Sequence, residues 1–89
     1  MEQQQTFDLI AQYKKLLDDK SPQRHPSSAK SPEREDQLQH ARWMLNEMET
    51  GYRAGLFSEG KINRWLGFVQ GIFWACGVYS IDTMREHNT

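Results

Sequence analysis

Residues 31–76, SPEREDQLQHARWMLNEMETGYRAGLFSEGKINRWLGFVQGIFWAC, hold two apolar stripes of helical period separated by a short turn, and that division decides the fold. Leu38, Ala41, Leu45, Met48 and Tyr52 follow one another at alternating spacings of three and four, the seam of a helix packed along another helix. Ser31 is placed to cap this helix and Pro32 to occupy its first turn. Glu33, Glu35 and Asp36 put negative charge at the positive end of its dipole. Gly51 and Gly55 weaken its end, and Gly55 is the residue expected in the left-handed terminating conformation. Ser58 then caps a second helix with Glu59 in its first turn, and Ile62, Trp65, Leu66, Val69, Ile72, Phe73 and Cys76 form one apolar face. The reading is an all-α chain built on an antiparallel hairpin of about 32–54 and 59–76.

Outward from the hairpin, Phe7, Leu9, Ile10, Tyr13, Leu16 and Leu17 recur at helical spacing and predict an N-terminal amphipathic helix over about 6–19. Residues 20–31 carry Pro22, Pro26 and a run of serines that bury little, and read as a linker. Beyond Gly77, Ser80 can cap a short C-terminal helical turn holding Ile81 and Met84. The chain therefore divides into 1–19 (helix), 20–31 (linker) and 32–89 (hairpin with its turn). A core of this size is marginal, since a domain of under a hundred residues buries about 60 to 65% of its unfolded surface, and association is a natural way to complete it.

Composition narrows the function classes. With 11 Lys and Arg against 12 Asp and Glu the formal charge is -1, so no global basic field draws the molecule to nucleic acid or anionic lipid. The lone cysteine, Cys76, excludes an internal disulfide and fits a reducing cytoplasm. The polar start Met1-Glu2-Gln3-Gln4-Gln5 lacks the basic and apolar regions of a signal peptide. The apolar run from Trp65 to Tyr79 includes Gln70 and falls short of the about 20 residues a bilayer span needs.

That run has more apolar surface than one partner helix covers. Opposite the Ile62 to Cys76 face lie Gly67, Gly71 and Ala75 at four-residue spacing, beside Phe68 and Trp74, a helix-packing or dimer face where another backbone can come close. Helix one, a second copy of the chain or a foreign protein are the three candidate covers. Trp43 falls outside the Leu38 to Tyr52 seam and is either covered by helix one or the chain terminus, or free to contact a partner together with Arg42 and Glu47. Met44 reads as core filler.

Catalytic constellations are not found. His25 is in the linker, His87 in the tail, and His40 has no second histidine one helical turn away, so it reads as a solvated side chain beside Asp36 or Met44. The first-turn acids of helix two serve the dipole, and Cys76 lies in an apolar helix with no histidine nearby in sequence. The expectation is a non-catalytic protein with no cofactor, no metal and no small-molecule substrate. Nucleic-acid binding, through Arg24, Lys30, Arg34 and Arg42, ranks below protein binding.

The strings Arg42-Trp43-Met44-Leu45, Arg64-Trp65-Leu66-Gly67-Phe68-Val69-Gln70-Gly71 and Gly77-Val78-Tyr79-Ser80-Ile81-Asp82-Thr83-Met84-Arg85 resemble a group of small helical accessory proteins of tailed bacteriophages and prophages. The resemblance implies a viral protein acting in the cytoplasm of a bacterial host, where it binds and modulates or inhibits a host protein such as a defence or transcription component. Nucleic-acid binding and a structural or assembly role in the virion are the alternatives, and a homodimer is one of the candidate covers of the glycine face. The resemblance brings no catalytic residues with it.

Overall fold

The computed structural model describes residues 2–24 and 33–88 and contains four helices and no strand among them: α1 (Gln3–Leu16), α2 (Arg34–Arg53), α3 (Glu59–Ala75) and α4 (Ile81–His87). Its class is all-α. The boundaries differ from expectation at two starts. α1 begins three residues earlier than the apolar period suggested, because Glu2 caps it through a box in which its own N–H donates to Gln5 Oε1 at 2.9 Å. It also ends earlier, at Leu16, so Leu17 lies beyond its last turn yet is buried.

α2 is capped by Glu33, whose N–H donates to Asp36 Oδ2 at 3.2 Å. The expected Ser31 cap and Pro32 first turn lie outside the described residues, as does Lys30. Ser58 and Ser80 cap α3 and α4, their hydroxyls accepting from the N–H of Lys61 and of Thr83, each at 3.1 Å.

Two helix ends share one device. Gly55 and Gly77 have φ of 75° and 72°, a conformation that costs an L side chain free energy and glycine nothing. Past α2, Gly55 N donates to Tyr52 O and Leu56 N to Gly51 O; past α3, Gly77 N donates to Trp74 O and Val78 N to Phe73 O. Both are Schellman closures that satisfy carbonyls a helix end otherwise leaves open. They turn α2 into α3 and α3 towards α4.

α2 packs along α3 and α1 along α2, around a single core. Leu9, Ile10, Tyr13 and Leu17 meet Leu38, Ala41, Met44, Leu45, Met48 and Tyr52, and these meet Ile62, Leu66, Val69, Ile72 and Phe73, with Met84 closing one end. The seam read in α2 is thus wholly buried, and Met44 is core, as expected. No helix among the described residues is long and apolar enough to cross a membrane.

α4 is held by polar contacts as much as by Met84. Gln70, buried in α3, donates to the Tyr13 hydroxyl at 3.1 Å and exchanges hydrogen bonds with the Asn88 amide. Tyr13 also meets His87 Nδ1 at 2.8 Å. Gln70, the polar interruption in the most apolar helix, therefore ties α1, α3 and the chain's end together, which a buried amide requires if its desolvation is to be offset. Burial pushes the Tyr13 hydroxyl above its ordinary pKa.

Candidate functional site: an aromatic patch between α2 and α3

His40 and Trp43 lie one turn apart on α2, and Trp65 and Phe68 one turn apart on α3, so antiparallel packing brings four rings to one mouth of the hairpin. His40 stacks on Trp43 with centroids 5.8 Å apart and planes 18° apart. Trp43 and Trp65 are 6.0 Å apart, and the Phe57 ring from the turn meets Trp65 edge-on at 5.0 Å. Phe68 presents its ring to solvent, 57% exposed, with the His40 ring at right angles to it. Contacts of this geometry contribute about 0.5–1.5 kcal/mol each beyond their area, so the cluster is a preformed platform.

Cations ring it. Arg24 lies over Trp43 at 5.6 Å, and Lys61 lies over Phe57 at 4.2 Å and over Trp65 at 5.4 Å. Arg24 and Arg64, with His40, Trp43, Met44, Trp65 and Phe68, border an open concavity of about 530 Å³ to which no carboxylate contributes. Arg24 is brought there because the chain after α1 folds back onto α2: Gln23 N donates to Gln39 O at 3.1 Å, and His40 Nδ1 lies 3.3 Å from Gln23 O. The start of the segment read as a linker is thus docked, and His40, half-buried, is part of the ring stack at the edge of the concavity.

The predicted partner-binding residues separate. Trp43 is in the platform, half-buried; the groups seated against its ring are His40, Trp65 and Arg24, so the cover expected from helix one is supplied by α3 and the chain after α1. Glu47 is exposed one turn further along α2. Arg42 faces the other way. Its Nη1 donates to Lys14 O at 2.9 Å and Leu17 O at 3.3 Å, closing the C-terminal end of α1, so the part of its guanidinium seen engaged serves the fold. Arg34 does the same for α3, with Nε donating to Cys76 O at 3.1 Å. Of the four cations considered for nucleic acid, two therefore serve helix ends, Lys30 is outside the described residues, and Arg24 is on the platform.

The glycine face is elsewhere. A Cβ at Gly67 or Gly71 would meet nothing within 4 Å, and Trp74 and Ala75 are exposed, so helix one does not cover this face; it packs along α2 instead. α4 reaches only its edge, where Ile81 and Met84 join Gly67, Gly71 and Trp74 around a shallow groove.

Cys76 is partly buried, its thiol 3.8 Å from Gln37 Oε1 and pushed up in pKa by burial, with Arg34 opposing. Among the described residues no three His, Cys, Asp or Glu side chains converge as metal ligands would. The sequence alone does not show His40, Arg64 and Phe68 gathered around one concavity with Trp43, or Lys61 over the Phe57 and Trp65 rings beside it. Their signal was the pairing of aromatic residues three apart on both arms of an antiparallel hairpin, which becomes a contact only once the register of the arms is known. No family model, curated protein or solved structure matches the chain.

Proposed function

We propose that this chain is a non-catalytic bacteriophage accessory protein that binds a protein of its bacterial host through the His40, Trp43, Trp65 and Phe68 platform and modulates or inhibits it. The observation that carries the reading is the exposed Phe68 ring beside two half-buried tryptophans, an aromatic centre with a polar rim that a partner would desolvate, which is the composition of a binding hot spot. Resemblance to small phage accessory proteins supplies the viral setting, and defence and transcription components are the host machines of interest. Arg34 and Arg42 engaged at helix ends weigh against nucleic acid as the partner.

Affinity capture from host lysate with wild type, Trp43→Ala and Phe68→Ser tests it. A host protein retained by wild type and lost from both variants, whose helicity is unchanged, is the expected result; identical partner lists for all three would remove the platform from the site. The open glycine face supports a second reading, a homodimer across Gly67, Gly71 and Trp74. A single monomeric species at tens of micromolar in sedimentation equilibrium would eliminate that reading.

A further inference from the structure

Resting on the protein-binding reading, we infer that the platform takes a polypeptide segment in which carboxylates flank large apolar side chains. Charge complementarity is the ground for it. Arg24, Lys61 and Arg64 have no carboxylate within ion-pairing distance among the described residues, a state they share with Lys15, Arg34, Arg42 and Arg53; what sets the three apart is that they gather around one aromatic mouth whose concavity has no Asp or Glu in its lining. A chain with one more acid than base has carboxylates to place beside them, so the unpaired cluster is not a by-product of a basic composition. Glu47, the nearest acid along α2 from Trp43, neither lines the concavity nor pairs with any of the three. Arg24 and Lys61 instead rest on ring faces, where water is partly excluded and a carboxylate would gain a charge-assisted hydrogen bond. Apolar side chains of the same segment would meet Phe68 and the tryptophan edges.

The alternative ligand of cations and aromatics, single-stranded nucleic acid, needs free ring faces on which bases stack. Here the faces are used: Trp43 carries His40 in parallel and Arg24 over its ring, and Trp65 is bounded by Trp43, Phe57 and Lys61. Edges and one exposed phenyl remain, which suit aliphatic and aromatic side chains better than bases.

The full chain, immobilised, is used to select from a random displayed peptide library, with Phe68→Ser and the triple charge reversal Arg24→Glu, Lys61→Glu, Arg64→Glu in parallel, and with oligo-dT tested for binding. Both variants are first matched to wild type in helicity. The selected pool is expected to be enriched in Asp and Glu together with Leu, Phe, Trp or Met. Its affinity should fall at least about tenfold on charge reversal, mostly through slower association, and fall as salt is raised. A pool that Phe68→Ser abolishes but that has no excess of carboxylates overturns the acidic partner and leaves the binding platform standing. No enrichment, or enrichment indifferent to Phe68→Ser, overturns both. Oligo-dT binding tighter than the peptides and lost with Phe68→Ser overturns both in favour of nucleic acid.

Discussion

The two sides of α3 expose comparable apolar residues and differ in everything else. Towards α2, Trp65 and Phe68 belong to an interlocked ring cluster with cations over the rings. On the outer side, Gly67, Gly71 and Trp74 stand apart, with space where Cβ atoms could be. Exposed apolar area alone would rank them alike. Preorganisation separates them: the platform's rings are ordered before any partner arrives, so little side-chain entropy remains to be lost on binding. The glycine face offers close approach to a backbone and has little of its own to hold a ligand in place.

Glycine substitutions probe that contrast directly, and the largest effect belongs to Gly51. It is buried at the end of α2 directly against Phe57, and a Cβ there would lie 2.6 Å from Phe57 Cε1. Gly51→Ala gains about 0.5–1 kcal/mol of helix propensity but overpacks the ring, a cost of about 1–3 kcal/mol, so the overlap prevails. A net loss of about 1–2 kcal/mol in urea unfolding is expected, with a change in tryptophan emission as Phe57 leaves Trp65. Unaltered emission and stability would mean that Phe57 is not part of the platform's support.

At Gly67 and Gly71 the sign reverses. With nothing within 4 Å of either Cβ position, the double substitution to Ala should stabilise the monomer by about 1 kcal/mol in total. Thermal melts at low protein concentration measure it. Destabilisation, or stabilisation that disappears as concentration rises, would show that a second copy covers the face and that the contrast between the two sides of α3 holds only for the isolated chain.

The fold was legible where one helix's period suffices. The Leu38 to Tyr52 seam, the Ser58 cap and the left-handed Gly55 are local facts of sequence and all occur as read. What was not legible depends on register between helices. Arg42 reads as a surface cation until α1's last carbonyls are set beside it, and the company of His40 is not visible until Trp43, Phe68 and the returning chain at Gln23 are set against it. Gly51 was read as a helix weakener, whereas its missing side chain makes room for Phe57. α1's starting point was misjudged because a glutamate and a glutamine, not the apolar period, determine it.

The smallest effect tests the turn that carries Phe57 to the platform. Tyr52, buried at the end of α2, donates its hydroxyl to Glu59 in the first turn of α3, fastening the two ends of that turn. The hydrogen bond to Glu59, then burial, then the carboxylate's charge push the Tyr52 pKa from 10.0 up to about 12. Its folded value lies above its unfolded one, so the stability it contributes is complete below pH 10 and is lost as pH rises towards 12. Tyr52→Phe removes this contribution and should cost about 0.5–1 kcal/mol at neutral pH, since the acceptor is exposed. Tyr13, raised by burial, gives a loss of the same sign, so only the difference between wild type and variant isolates Tyr52. Urea midpoints of the two proteins should converge between pH 10 and 12. Parallel midpoints across that range would mean that the Tyr52 to Glu59 bond does not fasten the turn in solution, and that core packing alone holds Phe57 under the platform.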